Sequence, residues 1–308
     1  MEHTPPGRPT GLASYVDAWH PAPVTTQDPL PAAPAAALGA VLDGPDTAPG
    51  HGAPLPPLWH WLYFLDWPAQ ARLGADGHPA DGHFLPPVPD RRRMIAGGRA
   101  EFTAPLLVGA PAHRASSLVA TQVKHGRTGE MVFVTVRHEI SQEGTVRVVE
   151  EQDVVYRSGE DARRRTRFGL DTADAPPAKA PWRLTLRPTP SLLFRFSALT
   201  ANAHRIHYDT PYCKDVEGYP GLVVHGPLLV LLMLQLVREN APGRTVRSLS
   251  YRLHEPLFAG EQLVASGEPD APEGAAGPGA GAAVSEGAEL RVASRREGRH
   301  AGARVTFA

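Results

Sequence analysis

The pattern of apolar and polar positions predicts a helix, then a group of strands, then a second helix. Residues 29–43 form an alanine-rich run that predicts the first helix, with Asp28 as its N-cap and Pro29 in its first turn. Three later segments are rich in β-branched residues and predict strands: Arg114–Val123, Glu130–Ile140 and Thr145–Tyr156. The sequence SQEGT between the last two predicts a hairpin turn.

The second helix, Gly226–Arg238, is apolar on nearly every face. Gln235 and Arg238 are its only polar side chains. In a globular protein such a helix must be enclosed, and a curved antiparallel sheet wrapped around it would enclose it. The apolar run is too short to cross a bilayer, so we expect no membrane partner.

The two halves of the chain share a pattern. EFTAPLLVGA around Pro105 and RLHEPLFAGE around Pro256 both contain Pro-Leu-x-x-Gly. A later Glu-Gly turn recurs at nearly the same interval, with its glycines at Gly144 and Gly298. The repeat predicts a duplicated α+β fold, in which each unit has an antiparallel sheet wrapped around a central helix.

The pattern divides the chain into four parts. We predict a loose tail over residues 1–15, an N-terminal unit over 16–157, a linker over 158–181 and a C-terminal unit over 182–308. Within the last unit, residues 268–289 are rich in glycine and alanine and predict a low-complexity loop. The aromatic run LWHWLYFLDW is expected to be packed, because a bare patch of that size is a liability.

Composition and charge narrow the class of protein. The net charge is −1 and no long basic run is present, so we expect no nucleic-acid partner. The single cysteine, Cys213, cannot form an internal disulfide, and its thiol is expected to be structural. The N-terminus lacks the apolar core of a secretory signal. We therefore expect a cytoplasmic protein and leave open whether it forms a homo-oligomer.

Titratable residues concentrate in NAHRIHYD, residues 202–209, a short distance before the His-Gly step of the second helix. A metal site built from His204, His207 and His225 is one interpretation, but the spacing is not specific and no cysteine pair supports it, so we predict no metal ion. A structural role would suit any single histidine. Several titratable groups beside an apolar helix are costly unless they are used, which favours a third interpretation.

The third interpretation is acid/base chemistry on a bound acyl group. The first N–H groups of a helix have no internal acceptor and lie at the positive end of its dipole. At His225-Gly226 they would stabilise charge on a carbonyl oxygen, and glycine would let the ligand approach closely. An imidazole of NAHRIHYD could then move a proton at the carbon β to that carbonyl. This chemistry needs no cofactor.

FSALTANAHRIHYD followed by YPGLVVHGPLL resembles the hydratase motif of MaoC-like, or R-specific enoyl-CoA hydratase, proteins. LPPLWHWLYFLDW, FLPPVPDRRRMIAGG, HGRTGEMVFVTVRHEI and EEQDVVYR are similar to FAS1-like dehydratases, especially the mesaconyl-C4-CoA (3-methylfumaryl-CoA) hydratases. The resemblance covers about residues 20–265 and the end of the chain. It implies a double hot-dog fold, in agreement with the repeat.

The resemblance also implies roles for individual residues. The family uses an aspartate and a histidine five residues later; the histidine falls on His207, but the aspartate falls on Asn202 and the family's asparagine on His204. Asp209 matches a second aspartate, and Gly226 matches the glycine whose N–H holds the thioester oxygen. Asparagine can orient water but cannot accept its proton. Either His207 works alone with Asn202 positioning the water, or His204 or Asp209 takes part.

The implied reaction is reversible hydration of an enoyl-CoA thioester, with mesaconyl-C4-CoA giving citramalyl-CoA. Arg205, Arg92 and Arg93 are candidates to bind a substrate carboxylate or a CoA phosphate, and His225 and Tyr208 are further candidates to bind substrate. Another hot-dog acyl-thioester enzyme (a 3-hydroxyacyl dehydratase or a thioesterase) and a non-catalytic acyl-CoA-binding subunit remain as alternatives. The N-terminal unit has no copy of NAHRIHYD, so we expect it to shape the pocket without catalysing.

Overall fold

The computed structural model describes most of the chain, in the ranges 11–44, 49–126, 129–158, 168–175, 177–271 and 286–308. Most of the predicted tail, much of the predicted linker and most of the predicted low-complexity loop lie outside the described residues.

Among the described residues, ten strands form one continuous antiparallel sheet. The N-terminal half contributes β1 (Val24–Asp28), β2 (Arg92–Phe102), β3 (Ala112–Gly126), β4 (Gly129–Gln142) and β5 (Thr145–Arg157). The C-terminal half contributes β6 (Trp182–Leu186), β7 (Val246–Leu253), β8 (Leu263–Pro269), β9 (Gly287–Ser294) and β10 (Ala301–Phe307). Their order across the sheet is β1-β3-β4-β5-β2-β7-β10-β9-β8-β6.

The strand order shows the duplication. Each half places its strands in the order first, third, fourth, fifth, second, and the two halves meet at the antiparallel pair β2–β7. That seam runs from Gly97 opposite Arg252 to Glu101 opposite Ser248. The predicted α+β class with two related units is confirmed.

The β4–β5 hairpin turns where the sequence predicts. Gln142 pairs with Thr145, and between them Glu143 and Gly144 have φ of 52° and 75°. A two-residue turn with positive φ at both positions matches the right-handed twist of the strands it joins. Glycine supplies one of these positions without steric cost.

The apolar helix is α4, Gly226–Asn240, and it is enclosed as predicted. Every residue from Leu228 to Val237 is buried, including Gln235. The helix packs on β6, β8, β9 and β10, the strands of the C-terminal sheet. It also shares its apolar core with Leu38 and Trp59 of the N-terminal half. Because the apolar part of α4 is buried on all sides, residues of the two halves pack in one hydrophobic core.

The N-terminal half lacks a matching long helix in its described residues. α2, Ala32–Val41, lies within the predicted run, and the described residues from 49 to 91 form only two 3₁₀ turns, Trp59–Leu62 and Gln70–Arg72. The Pro- and Gly-rich composition of that stretch disfavours a continuous helix. Most of the aromatic run is packed as expected, with Trp59 and Leu62 buried, but Trp67 at its end is 73% exposed. The predicted central helix is therefore fully developed only in the C-terminal unit.

The predicted N-cap of the first helix is wrong. Asp28 is the last residue of β1, and its carboxylate accepts hydrogen bonds from the N–H groups of Leu30 and Phe64. The N-cap of α2 is Pro31, which makes no side-chain cap. Asp28 therefore holds the loop that follows β1 rather than the helix. The other α-helices among the described residues are α1 (Ala13–Val16) and α3 (Pro190–Leu199). Arg205–His207 forms a 3₁₀ turn and Tyr212–Glu217 a short π-helix.

Candidate active site

A cavity of about 650 Å³ is lined by residues of both halves. Six of the predicted site residues line it: Asn202, His204, His207, His225, Gly226 and Arg93. The NAHRIHYD segment reaches the cavity from the end of α3, where Ala201 has a φ of 48° and Asn202 N–H donates to the carbonyl of Ser197. The positive φ turns the chain away from the helix axis, which brings the segment against the start of α4.

His207 is fixed in one tautomer. Its Nδ1–H donates to the carbonyl oxygen of Val223 at 2.8 Å, because a carbonyl can only accept. The other ring nitrogen, Nε2, therefore carries the lone pair. Burial lowers the pKa of His207 to about 4, against the opposing effect of the Val223 hydrogen bond. His207 is thus a neutral imidazole near neutral pH, with Nε2 as a base.

His225 supports the ring of His207 and begins α4. The two imidazoles are stacked with centroids 3.6 Å apart and planes 16° from parallel. His225 Nε2 lies 2.9 Å from Ser197 Oγ, and its Nδ1 is buried with no hydrogen-bond partner among the described residues. Burial, followed by the charges of His207 and His204, lowers the pKa of His225 well below its ordinary value. The stack fixes His207 beside the first turn of the helix.

Gly226 is the first residue of α4, directly after the N-cap His225. Its N–H has no acceptor within the helix, and the residue lines the cavity. A Cβ at this position would lie 2.3 Å from Cδ1 of Leu253, so only glycine fits without a shift of that side chain. The start of the helix therefore offers an amide donor and the positive end of a dipole to a carbonyl oxygen.

Asn202 and His204 form the wall beside His207. Asn202 Oδ1 accepts the N–H of His204 at 3.0 Å, which leaves the amide NH₂ of Asn202 as a donor toward ligands. The His204 ring lies edge-on to His207, with centroids 5.6 Å apart. Burial, then the charges of His78 and His207, lowers the pKa of His204 to about 2. His204 is therefore neutral, as His207 is.

A second pair of titratable residues lies at this wall, Asp76 and His78, and neither was predicted from the sequence. His78 lines the cavity, and its Nδ1 lies 3.0 Å from Asp76 Oδ2. The His78 ring also faces His204, with centroids 4.0 Å apart and planes tilted by 35°. In sequence the pair sits in DGHP, inside a Pro- and Gly-rich stretch interpreted only as a connection. The signal in the sequence was an aspartate and a histidine on either side of a glycine, two side chains that can exchange protons.

Asp76, His78 and His204 also bring possible metal-ligand atoms within 4.8 Å of one another. The metal interpretation considered from sequence used His204 with His207 and His225, which is a different set. In the structure His207 and His225 are stacked, so their ring-plane lone pairs do not meet at one point.

Four predicted site residues lie outside the cavity lining: Asp209, Arg205, Tyr208 and Arg92. Asp209 accepts hydrogen bonds from Arg205 and from the Tyr212 N–H. Tyr208 is 46% exposed and donates its hydroxyl to the carbonyl of Ala203. Arg92 forms an ion pair with Glu217 at 2.7 Å. These side chains hold the segment and its neighbours in shape.

The opposite wall of the cavity comes from the N-terminal half and centres on a buried carboxylate. Glu150 accepts hydrogen bonds from Trp61 Nε1 at 2.8 Å and Gln152 Nε2 at 2.9 Å, and lies 2.8 Å from His60 Nε2. Burial acts to raise the pKa of Glu150, but its hydrogen bond to His60 and nearby positive charge outweigh that effect and lower it. The carboxylate is charged and fully bonded, so it gives the cavity a fixed polar end.

Comparison with known proteins identifies the class. Residues 58–259 match the family described as hydroxyacyl-thioester dehydratase type 2, which is more than half of the chain. The chain belongs to this family, and the predicted resemblance to hot-dog dehydratases is confirmed.

A mesaconyl-C(4)-CoA hydratase of Chloroflexus aurantiacus is 46% identical over 242 residues, covering 78% of this chain and 84% of that protein. A MaoC-like dehydratase of Phytophthora capsici superposes with a TM-score of 0.62 at 11% identity, covering 94% of this chain and 95% of that one. A Mycobacterium tuberculosis protein described as a double hot-dog gives 0.60 at 13%, covering 95% and 97%. The predicted double hot-dog fold is confirmed.

One further prediction is settled at this level. The family and the named hydratase confirm that the protein is a hydro-lyase of the hydratase and dehydratase type. Among the described residues, no helix has the length and apolar character needed to cross a membrane.

Proposed function

We propose that the protein catalyses the reversible hydration of an enoyl-CoA thioester, with mesaconyl-C4-CoA as substrate and citramalyl-CoA as product. The observation that carries the proposal is the contact between His207, whose Nε2 lone pair is free, and the first turn of α4 in one cavity. The Chloroflexus hydratase, related over most of both chains, supports the choice of substrate. We place the reaction in the cytoplasm, because the single cysteine, Cys213, is free and buried, which suits a reducing compartment.

The geometry supports a specific order of events. The thioester oxygen accepts the N–H of Gly226, where helix-terminal charge stabilises an enolate. Asn202 positions a water molecule, and Nε2 of His207 takes a proton from it as the water oxygen bonds to carbon β. The C=C electron pair moves toward the thioester carbonyl. Carbon α then takes a proton, and the product is a 3-hydroxyacyl thioester.

A methyl-branched dicarboxylyl substrate carries a free carboxylate beside carbon β, and Arg93 is our candidate to bind it. Arg93 lies on β2 and lines the cavity near His204, whose pKa its positive charge helps to lower after burial and the neighbouring histidines. Arg205 and Arg92, the other predicted candidates, are engaged outside the cavity. A guanidinium is well suited to a carboxylate because it can donate two parallel hydrogen bonds.

The proposal is tested by ultraviolet absorbance of the conjugated enoyl-thioester band. Mesaconyl-C4-CoA and crotonyl-CoA are each incubated with wild type and with His207→Ala. We expect absorbance to fall with mesaconyl-C4-CoA and the mutation to abolish the change. Activity on crotonyl-CoA alone would redirect the proposal to a general enoyl-CoA hydratase. Tight binding without turnover of either would instead favour an acyl-CoA-binding subunit.

A second candidate is a 3-hydroxyacyl-thioester dehydratase acting on unbranched chains, because the matched family carries that description. The same cavity and the same His207 would serve it, since dehydration is the reverse of hydration. Formation of the enoyl band from 3-hydroxybutyryl-CoA, at a higher kcat/KM than citramalyl-CoA, would favour it. Release of free CoA, detected with a thiol reagent, would instead indicate a thioesterase.

A further inference from the structure

Hydration of a C=C bond needs two proton transfers, and the proposed function accounts for one. A group must take a proton from water, and a group must give one to carbon α. Asn202 lies in the cavity wall beside His207, but an amide can do neither. Asp209 is bonded to Arg205 and Tyr212 outside the cavity. The second proton-transfer group must therefore come from another part of the cavity wall.

His78 has the geometry for that role. It lines the same cavity as His207, and its Nδ1 is hydrogen-bonded to Asp76 Oδ2 at 3.0 Å. An ionised carboxylate accepts only, so Nδ1 carries the hydrogen and Nε2 is the exchangeable position. An aspartate that orients an imidazole and offsets its charge is the usual support for a histidine that gains and loses protons.

The loop that carries His78 is held directly on NAHRIHYD. The N–H of Arg205 donates to the carbonyl of Asp76 at 2.8 Å, and Nη1 of Arg205 donates to the carbonyl of Ala75 at 3.0 Å. Gly77, with a φ of 88°, lies so close that a Cβ would be 2.0 Å from the carbonyl oxygen of Ala203. The backbone contact needs glycine, and it fixes Asp76 and His78 relative to His207.

The charges around the two histidines differ. Burial acts to raise the pKa of Asp76, but the hydrogen bond and charge of His78 outweigh it and hold the pKa below its ordinary value. An ionised Asp76 beside His78 would offset the charge of an imidazolium there. Burial without a carboxylate partner keeps His207 neutral. The two histidines of this cavity therefore differ in their electrostatic surroundings, which is the kind of difference that separates an acid from a base.

We propose that His78, oriented by Asp76, is the acid that protonates carbon α during hydration, and that the N-terminal half thereby supplies a catalytic residue. The inference rests on the proposed function. His207 Nε2 takes the proton of water, the oxygen lone pair forms the C–O bond at carbon β, and the C=C pair passes to carbon α. That carbon forms its C–H bond with the proton of His78 Nε2, and the N–H pair returns to the ring. Exchange with solvent then resets both imidazoles.

A metal ion at Asp76, His78 and His204 is the competing use of the same atoms. The rings of His78 and His204 face each other at 4.0 Å with a tilt of 35°. The hydrogen bond to Asp76 occupies Nδ1 of His78, which leaves Nε2 of His78 for an ion or for proton transfer. The effect of chelation on activity, tested below, distinguishes the metal role from the acid role.

The experiment measures hydration of mesaconyl-C4-CoA by wild type, His78→Gln and His78→Ala. We expect kcat to fall about 100-fold or more with KM within about threefold, since the group acts only in the transition state. Added imidazole should restore activity to His78→Ala and not to His78→Gln. The matched control is His125→Ala, whose side chain is 77% exposed on β3 and which should keep wild-type kcat. A kcat within about threefold of wild type in His78→Gln would overturn the inference and leave the proposed function standing.

Asp76→Asn tests the positioning role separately. The titratable groups near His78 are Asp76, His204 and His207, and the charge of Arg93 acts on the adjacent His204. Loss of the counter-charge should move the alkaline limb of the kcat profile down by about one pH unit, because the acid then gives up its proton more readily. A purely structural role would lower kcat without moving the limb, which would count against the inference.

Deuterium exchange separates this inference from the proposed function. Methylsuccinyl-C4-CoA, a saturated analogue, is incubated with each variant in D₂O, and exchange at carbon α is followed by mass spectrometry. If wild type hydrates neither enoyl substrate, exchange that depends on His78 still supports its role at carbon α, while equal exchange with and without His78 overturns it. Activity that is lost on chelation and restored by zinc would also overturn it, in favour of the metal site.

Discussion

The two halves of the molecule share one strand order and differ in almost everything that touches the cavity. The C-terminal half has the long apolar helix α4, with His225 and Gly226 at its start and His207 beside it. At the corresponding place the described N-terminal residues have a short helix and irregular chain. The alternating apolar pattern fixes the register of each strand, and this does not require a long buried helix in both halves. The irregular chain leaves room for the cavity and carries the DGHP loop into it.

The largest expected effect falls on the C-terminal half. If the water proton goes to His207, His207→Ala should lower kcat for hydration about 1000-fold, because acid/base groups contribute about 10²–10⁴-fold. Initial rates at saturating mesaconyl-C4-CoA measure it. His113→Ala, an exposed histidine on β3, is the control and should match wild type. Retained activity in His207→Ala would show that another group is the base, and the assignment of the base to the C-terminal half and the acid to the N-terminal half would be wrong.

Gly226→Ala should have the next largest effect. The added Cβ meets Cδ1 of Leu253 at 2.3 Å, and we expect it to hold a ligand away from the amide, so kcat/KM should fall about 100-fold and Tm should drop. Combining it with Leu253→Ala relieves the clash and should not restore kcat/KM. Gly243→Ala, with open space around its Cβ, is the control for the substitution itself. Full activity of the double variant would mean that the amide does not hold the thioester oxygen.

A smaller and selective effect is expected from the N-terminal half. Arg93→Met should raise KM for mesaconyl-C4-CoA about tenfold and change KM for crotonyl-CoA little. Only mesaconyl-C4-CoA has a free carboxylate, and the substitution removes the guanidinium proposed to bind it. Arg99→Met, on the same strand but paired with Glu151 away from this cavity, is the matched control. Equal changes for both substrates would assign Arg93 to the CoA portion or to packing.

The smallest effect concerns stability in acid. Burial lowers the pKa of His207 to about 4 and of His204 to about 2, so both are neutral in the folded state while the unfolded chain protonates them below about 6.5. The unfolded state then binds more protons, and the free energy of unfolding falls as pH drops from about 6.5 toward 4. Urea unfolding across that range measures the fall. His207→Gln should lessen it and His125→Gln should not; an unchanged slope in His207→Gln would show that its protonation is not linked to folding.

Local pattern predicts the two segments that meet at the candidate site. NAHRIHYD and the His-Gly step mark those segments, the resemblance to the family singles out His207 and Gly226 within them, and α4 follows from a run of apolar residues that must be enclosed. The side chains predicted around them were less well placed. In the 3₁₀ turn Arg205–His207, residues three apart share a face, so His204 and His207 lie together while Arg205 and Tyr208 point elsewhere. The order of residues in the motif does not by itself show which side chains face the cavity and which face away from it.

The DGHP loop could not be placed from the sequence for a different reason. Its position depends on the close approach of Gly77 to Ala203 and on hydrogen bonds to Arg205, a contact between residues far apart in the chain. The residues next to Gly77 in the sequence do not indicate which distant segment the loop will contact. Asp28 shows the same limit on a smaller scale, because its carboxylate bonds to Phe64 and not to the helix that follows.

The seam between β2 and β7 has a consequence for symmetry. Two identical chains related by a twofold axis would carry every residue twice, and any substitution would enter both halves at once. Here both halves belong to one chain, so positions that are equivalent under the pseudo-twofold can carry different residues. Among the described residues one half has a long buried helix, and the other has the loop that carries His78 into the cavity. Two halves with one strand order can therefore supply different side chains to one shared cavity.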